Sequence, residues 1–336
     1  MYEINKEGIN SKLLSMIPSE ILFKLAHIKI FVPCWHAISD KDIEHISPQM
    51  KIKTVKSFLT DLDYILFHYT PINIDDLLDY IYGNKLLPKK PFLPTFDDGF
   101  KEVYENIAPI LIKKGVHAIF FVVTSYVDNK SLGYRQKMNL ILRKISRGIA
   151  KSKLDKILSI LNLNNIPGID VFSKINNIEY KKRDLLDQLA EIIELDFEEY
   201  IKLTRPYLTS SQIKDLIKMG FEIGSHSIDH PRFQELSLDE QLCQIKDSIS
   251  WLSVNFKYNC RLFAFPFGFE SVSSNLLDNI FKDTGIKVTM NFHRGHIYNN
   301  PKSIPRIPME MTSLPARALL SYEFAKALFY KYRLLI

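Results

Sequence analysis

Short apolar runs alternate with longer amphipathic stretches along most of this chain. Runs of this length, bounded by glycine, proline and polar residues, are typical of strands buried on both faces of a parallel sheet. We predict such strands at six places: IKIFVPC around 29–35, PFLPTF at 91–96, HAIFFVV at 117–123, FEIGS at 221–225, LFAF at 262–265 and IKVTMN at 286–291.

Helical periodicity fills the intervals between the predicted strands. Residues 55–69 and 102–114 repeat apolar side chains at the spacing of one helix face. Ser237 and Glu240 match a capping box that opens another helix, and Thr209 is suited to cap a fourth. Repeated strand–helix units predict an α/β fold, and about six or seven of them fit a closed or nearly closed barrel. In such barrels the functional residues lie at the carboxyl ends of the strands.

One long segment interrupts this rhythm. Residues 125–208 show helical patterns and no clear strand, so we predict a helical insertion between two barrel units. Its first part, 130–156, has nine Lys/Arg and one acid, whereas its later part, 179–199, has eight acids and three bases. We interpret these charges as solvated helix faces. The alternative is a basic surface that meets phosphate or an anionic membrane.

Composition narrows the class of protein only slightly. The chain has 336 residues and a net charge of +6, which is too weak to indicate a nucleic-acid partner by itself. Cys34, Cys243 and Cys260 are far apart and match no zinc spacing, so we expect reduced thiols and a cytoplasmic protein. The segment 1–20 does not have the pattern of a secretory signal, and no run of about 18 apolar residues predicts a membrane span.

Two groups of metal-ligand residue types follow predicted strands. Asp97 and Asp98 directly follow the strand at 91–96, where adjacent like charges would otherwise be unfavourable. His226 and His230 follow the strand at 221–225, and one turn of helix between them would place both imidazoles on one side. Each group alone is weak evidence, but strand-end positions would bring them to the same rim of a barrel.

A third stretch, RLFAFPFG at 261–268, runs from a strand into a tight turn. Pro266 and Gly268 can re-aim the backbone so that the N–H of Phe267 points into the site, and Arg261 could reach a carboxylate. Two imidazoles and one carboxylate provide three ligands for a divalent cation and leave a position for water or substrate. With a second carboxylate as base and a backbone N–H for an oxyanion, this set predicts hydrolysis of an amide or ester.

These motifs resemble the first three motifs of the polysaccharide deacetylases, the NodB-homology enzymes of carbohydrate esterase family 4. The matching stretches are Thr95-Phe-Asp-Asp-Gly99, His226-Ser-x-x-His230 and Arg261-x-Phe-x-x-Pro-Phe-Gly268. Their order and strand-end positions also fit. The resemblance covers roughly 29–125 and 209–310, and together the motifs are specific.

The resemblance implies a distorted (β/α)7 barrel that holds one divalent metal ion, most often zinc, with cobalt, nickel or manganese as alternatives. It implies that Asp98, His226 and His230 bind the metal and that water on the metal attacks the acetyl carbonyl. Asp97 would be the general base. Arg261 would pair with Asp97, and the backbone N–H of Phe267 would help to form the oxyanion hole.

The chain departs from the family pattern at several positions. Ala264 and Phe267 stand where the third motif often has Arg and Tyr, although a main-chain donor tolerates Phe. The usual fourth and fifth motifs, the latter with the family's general-acid histidine, are absent. We therefore hypothesise that His36, which ends the first predicted strand, is the general acid, because imidazole suits that role near neutral pH. A capping or substrate-contact role for His36 stays open.

Other residues near the predicted rim are candidates for substrate contact. His293 and His296 follow the strand at 286–291 and are rivals of His36 for the acid role, and Asp40 could orient His36 or touch sugar hydroxyls. The complete set of substrate-binding candidates is Asp40, Pro266, Gly268, His293 and His296.

The expected partner is an acetylated sugar of a surface polysaccharide, a lipopolysaccharide or a lipid-linked precursor. We expect an N-terminal extension at 1–28, a barrel at 29–310 and a helical tail at 311–336. The tail is aromatic and apolar, so we expect it to pack on the barrel, with an interfacial helix at the inner membrane face as the alternative. The alternatives in function are a non-catalytic carbohydrate-binding protein, a deformylase or an O-deacetylase. Nothing in the sequence supports nucleic-acid binding.

Overall fold

Eight short strands form one sheet in which every neighbouring pair is parallel. The computed structural model describes residues 17–47, 49–83, 85–163, 170–268, 274–292, 300–310 and 312–333. The strand order is β10-β1-β4-β5-β6-β7-β8-β9, and β2 pairs with β3 separately. The strands are β1 Pro33–Trp35, β2 Thr70–Pro71, β3 Pro91–Phe92, β4 Thr95–Phe96, β5 Ile119–Val122, β6 Glu222–Ser225, β7 Leu262–Ala264, β8 Val288–Asn291, β9 Ser303–Pro305 and β10 Ile307–Pro308.

The last two strands close the barrel. They are separated by a single residue, Arg306, and β9 pairs with β8 while β10 pairs with β1. The N–H of Arg306 donates to the Asn291 carbonyl, and the N–H of the next residue, Ile307, donates to the Val32 carbonyl. When 303–308 is counted as one bent strand, the barrel has seven strands. This confirms the predicted (β/α)7 barrel, although the sequence analysis did not identify its closing strand.

Helices connect most of the strands. The described α-helices are α1 Ser19–Leu25, α2 Val55–His68, α3 Ile74–Tyr82, α4 Ala108–Lys114, α5 Tyr134–Ser146, α6 Lys151–Ile160, α7 Val171–Asn176, α8 Leu185–Ile192, α9 Phe197–Thr204, α10 Ser210–Lys218, α11 Leu238–Phe256, α12 Ser274–Asp283 and α13 Ala316–Arg333. A π-helical turn at Val103–Ile107 precedes α4, and short 3₁₀ turns lie at Val127–Asn129, Tyr180–Lys182 and Phe233–Glu235.

The predicted strand runs and helix starts agree with the structure. Each of the six apolar runs contains a strand. Ser237 Oγ accepts the N–H of Glu240, and the Glu240 carboxylate accepts the N–H of Ser237, which is the predicted capping box. Thr209 caps α10 in the same reciprocal way with Gln212. Local signals therefore set these helix starts.

Alternate residues of the strands pack into two different layers, as the side-chain geometry of a strand requires. On β5, Ile119 and Phe121 belong to the apolar cluster that fills the barrel interior. Phe120 and Val122 belong to the larger cluster between the sheet and the surrounding helices. Both faces of this strand are therefore buried, which explains its continuous apolar sequence.

The segment between β5 and β6 is helical, with helices α5 to α9 around an apolar cluster of its own. Its basic and acidic parts pair with each other and with the loop after β1. Lys137 lies 2.6 Å from Asp187, and Lys153 lies 2.8 Å from Glu194. These pairs support the interpretation of the charge runs as solvated helix faces.

Helix α13 packs against α1 and α2. The ring of Phe324 on α13 lies 5.4 Å from that of Phe23 and 5.7 Å from that of Phe31, both in edge-to-face geometry. This is the packing that the sequence predicted for the tail. Within the described ranges, no helix combines the length and apolar character that crossing a bilayer requires.

Candidate active site

The two adjacent aspartates leave β4 in different directions because the backbone turns sharply between them. The N–H of Asp97 still donates to the Trp35 carbonyl of β1, at 2.9 Å. Asp98 has a φ of +68° and Gly99 a φ of +67°, both in the left-handed region. Asp is one of the few L-residues that adopts this region readily. A Cβ on Gly99 would lie 3.2 Å from Cγ1 of Val122, so glycine is favoured here for space as well as conformation.

His226 and His230 follow β6, and their ring centroids lie 4.8 Å apart. The expected turn of helix between them is wrong. Ser227 and His230 have φ values of +73° and +60°, and Ser227 Oγ accepts the N–H of His230. The Nδ1 atom of His226 lies 2.8 Å from the Ala264 carbonyl and donates to it, which leaves the lone pair on Nε2.

Asp98, His226 and His230 have the arrangement of a three-ligand cation site. Asp98 Oδ1 lies 3.2 Å from Nε2 of His230 and 3.5 Å from Nε2 of His226. This oxygen is buried and has no hydrogen-bond partner among the described residues. A carboxylate and two imidazoles that converge with one unsatisfied oxygen suit a divalent metal such as zinc.

The ionisation states also suit a cation. Burial lowers the pKa of His226 to about 4, so its imidazole is neutral near pH 7. Burial raises the pKa of Asp98, but the neighbouring His230 and other imidazoles outweigh burial and hold that pKa below its usual range. Metal ligands must be deprotonated, and these groups meet that condition.

Asp97 is held by a residue that the sequence analysis missed. Its Oδ1 lies 2.6 Å from Nη1 of Arg306, and its Oδ2 lies 2.7 Å from Nη2. Both side chains are fully buried. Burial alone would raise the pKa of Asp97, but the Arg306 guanidinium outweighs it and the pKa is lowered. Asp97 is therefore ionised at neutral pH.

The predicted pairing of Arg261 with Asp97 is wrong. Arg261 opens β7 instead of following it, so it lies at the opposite end of the barrel from residues that follow strands. Its guanidinium lies 2.9 Å from Asp75 and 3.2 Å from Glu222. The signal for the true partner was a charged residue in an apolar, proline-flanked segment, SIPRIPME at 303–310.

His36 directly follows β1 and forms a close pair with Glu310, a partner that the sequence analysis also missed. Nδ1 of His36 lies 2.5 Å from Glu310 Oε1, and the same oxygen accepts the backbone N–H of His36. Burial lowers the pKa of His36, but the Glu310 carboxylate outweighs burial and raises it to about 9. Asp97 and Asp98 also contribute to this rise. Because β1 pairs in parallel with β4, with Trp35 opposite Phe96, His36 and Asp97 lie at the same rim of the barrel.

Asp40 does not orient His36. Its Oδ1 accepts the N–H of Val55 at the first turn of α2, and Glu310 takes the orienting role instead. A sugar contact by Asp40 stays a prediction. The predicted rivals His293 and His296 lie outside the described residues.

The turn after β7 places Phe267 beside the histidines. Phe267 has a φ of +62°, and the N–H of Gly268 donates back to the Pro266 carbonyl at 2.8 Å. The N–H of Phe267 has no acceptor in the described part of the chain. Its ring centroid lies 4.7 Å from that of His230. A free donor at this position is suited to an oxyanion that develops near the three ligands.

Comparisons with known proteins agree with this geometry. A family model described as polysaccharide deacetylase matches residues 84–289. A search of curated protein sequences found no significant match.

Among solved structures, the Streptococcus pyogenes deacetylase PplD in complex with acetate is 19% identical, with a TM-score of 0.57 over 88% of this chain and 98% of its own. A de-N-acetylase from Aggregatibacter actinomycetemcomitans is 13% identical, with a TM-score of 0.54 over 87% and 99%. IcaB from Ammonifex degensii is 17% identical, with a TM-score of 0.53 over 87% and 97%. At these identities the similarity shows the fold.

Proposed function

Because the chain belongs to the polysaccharide deacetylase family, we propose that it removes an N-acetyl group from a sugar by metal-dependent hydrolysis. The family makes it a hydrolase of carbon–nitrogen bonds, with an acetylated glycan as substrate. We place the sugar in a surface polysaccharide, a lipopolysaccharide or a lipid-linked precursor. The observation that carries the proposal is the convergence of Asp98, His226 and His230 beside an ionised Asp97.

Asp98, His226 and His230 would hold the divalent cation, and this set of one carboxylate and two imidazoles favours zinc. A cation in this position supplies Lewis acidity, which lowers the pKa of water and polarises the acetyl carbonyl. The protein holds these ligands in position before the cation binds. The hydrogen bond from His226 Nδ1 to Ala264 fixes the ring and its tautomer before any ligand arrives.

Asp97 accepts the proton of the attacking water as general base. Its lowered pKa keeps it ionised, and the two hydrogen bonds from Arg306 fix the plane of the carboxylate. Its Oδ2 lies 3.6 Å from Nε2 of His226, which places the base beside the three proposed ligands. Such a fixed base loses little orientational freedom in the transition state.

Attack by water forms a tetrahedral carbon whose oxygen carries negative charge. The N–H of Phe267 donates to that oxygen. The carbon–nitrogen bond then breaks, and the leaving amine takes a proton from His36. Because Nδ1 of His36 donates to Glu310, the proton that is transferred lies on Nε2. A pKa of about 9 keeps this proton in place at neutral pH.

The proposal is tested by acetate release from a panel of sugars. The panel contains N-acetyl, O-acetyl and N-formyl forms, each free and lipid-linked, and the enzyme is loaded with zinc, cobalt, nickel or manganese in turn. We expect the highest kcat/KM on an N-acetyl sugar with a metal present. Preferred release of formate, or of O-linked acetate, would overturn the assignment to N-acetyl groups.

A further inference from the structure

A cationic and aromatic cluster borders the proposed active site. It consists of Phe267, Tyr134, Arg135 and Arg232, and we call it the Phe267 cluster. Phe267 is 38% exposed, although its ring contacts that of His230. A molecule that lies on the open face of Phe267 therefore lies beside one of the three proposed metal ligands.

Two guanidinium groups lie against the Phe267 ring. The Cζ atom of Arg232 is 4.6 Å from the ring centroid, and that of Arg135 is 5.7 Å from it. Arg135 comes from α5, in the segment between β5 and β6, and Arg232 comes from the loop after β6. The two segments thus bring like charges together. Burial lowers the pKa of Arg135, and the charge of Arg232 lowers it further.

The acids around the cluster do not fully balance these charges. Glu235 Oε1 lies 3.7 Å from Nε of Arg232, while its other oxygen accepts the N–H of Tyr180. Asp229 is committed to the Tyr180 hydroxyl and to Gln244. Among the described residues Arg135 forms no ion pair.

Nη1 of Arg135 donates to the Asn176 carbonyl and contacts the sulfur of Met138. Neither partner is charged. Among the described residues, Glu235 is therefore the carboxylate that pairs with this cluster, and it lies within ion-pair distance of Arg232 and not of Arg135.

Tyr134 adds a buried hydroxyl close to Arg232. Its side chain is 4% exposed, and its hydroxyl has no hydrogen bond of ordinary geometry among the described residues. Its ring centroid lies 6.4 Å from that of Phe267, the ring that both guanidinium groups contact. Burial raises the pKa of this hydroxyl to about 12, and the charges of Arg135 and Arg232, with a hydrogen-bond interaction from Arg232, oppose that rise. A buried O–H beside two guanidinium groups is a ready donor to an oxyanion.

We propose that the Phe267 cluster binds an anionic group of the glycan, a phosphate or a carboxylate, while a sugar ring of the same glycan lies on Phe267. Guanidinium groups recognise both anions through paired N–H donors, and an exposed aromatic face suits the apolar face of a sugar ring. This inference rests on the proposed function. It narrows the substrate class to acetylated glycans that carry phosphate or uronate near the acetylated sugar.

Equilibrium binding tests the inference separately from catalysis. The metal-loaded protein is titrated with three probes: N-acetylglucosamine 1-phosphate, an N-acetylglucosamine–glucuronate disaccharide and neutral N,N′-diacetylchitobiose. The variants are Arg135→Gln, Arg232→Gln and their combination. Lys137→Gln is the matched control, because it removes a charge from the same helix that is paired with Asp187 instead.

We expect the wild type to prefer an anionic probe. The double variant should lose about 10- to 100-fold in affinity for that probe, the size of one or two charge-assisted hydrogen bonds, and much less for chitobiose. Lys137→Gln should retain the preference. Whether the phosphate or the uronate arm shows the loss identifies the anion.

Equal affinity of the wild type for all three probes would overturn the inference, as would an equal loss for chitobiose in the double variant. An anion preference in a protein that releases no acetate would instead contradict the proposed function and leave this binding site intact.

Discussion

Arg306 donates hydrogen bonds to both carboxylate oxygens of Asp97, at 2.6 and 2.7 Å. It lies between β9, which pairs with β8, and β10, which pairs with β1. One residue therefore joins the two parts of the closing strand and fixes the proposed general base. On β7, Ala264 stands where the family often has arginine. In this chain the guanidinium that pairs with Asp97 comes from the closing strand instead.

Replacement of Arg306 by lysine should lower kcat by about 10- to 100-fold, because one ammonium cannot hold the carboxylate in a fixed plane. It should also weaken the stabilisation of ionised Asp97, so the pKa of Asp97 rises and the acidic limb of the pH–rate profile moves to higher pH. Arg261→Lys is the control, since Arg261 pairs with Asp75 and Glu222. Equal losses in the two variants would contradict the assignment of Arg306.

The activity should fall as the pH rises through about 9, where His36 loses its proton. Glu310→Gln removes the charge that raises the pKa of His36, so the alkaline limb should move to lower pH. The measurement is kcat against pH for both proteins, with exposed His117→Gln as a control. An unchanged alkaline limb in His36→Gln would move the acid role to another residue.

The same ion pair should make stability depend on pH. The pKa of His36 is raised above its ordinary 6.5, so its stabilising contribution is complete below about 6.5 and is lost as the pH rises towards 9. The wild type should unfold at a higher temperature than Glu310→Gln, and the difference between the two midpoints should shrink over this pH range. A difference that grows with pH would contradict the pairing.

His226→Ala and Asp97→Asn should differ in how much metal they bind. The purified wild type should bind about one divalent ion per chain, and His226→Ala should lose it because two ligands remain. Asp97→Asn keeps all three proposed ligands and should retain the metal. Elemental analysis of the dialysed proteins measures this. Full metal retention in His226→Ala would show that the cation lies elsewhere.

Gly99→Ala should destabilise the fold more than Gly115→Ala does. Both glycines have left-handed φ values, +67° and +65°, so each substitution costs about 1–2 kcal/mol in conformation. A Cβ on Gly99 also lies 3.2 Å from Val122, whereas one on Gly115 meets nothing within 4 Å. The free energies of unfolding in denaturant measure the difference. Equal costs would show that Val122 yields without penalty.

Local sequence signals were sufficient to predict many of the strands and helix starts of this fold. The apolar runs located β1 and β4 to β8, because strands with two buried faces must be apolar throughout. The capping box at Ser237 and the cap residue Thr209 located helix starts, because capping hydrogen bonds depend on residues about three positions apart. The closing strand at 303–308 was missed because proline and arginine interrupt its apolar pattern.

The site was predictable where recognisable motifs directly follow predicted strands, and not where a partner residue lies in a segment without a motif. Asp98, His226 and His230 converge as their strand-end positions predicted. The partner of Asp97 lies 209 positions away in sequence, and that of His36 lies 274 positions away. Neither distance is encoded in a local motif. Arg261 was a reasonable choice by motif, but its position before β7 places it at the wrong end of the barrel.

The most direct test of the central claim compares acetate release from an N-acetyl sugar by wild type and Asp97→Asn at equal metal content. Asn has nearly the same shape as Asp but cannot accept the proton of water, so we predict that the variant loses turnover by about 100-fold or more. The wild type should release acetate in proportion to bound metal. Equal rates in the two proteins would contradict the assignment of Asp97 as the base and of this site as the catalytic centre.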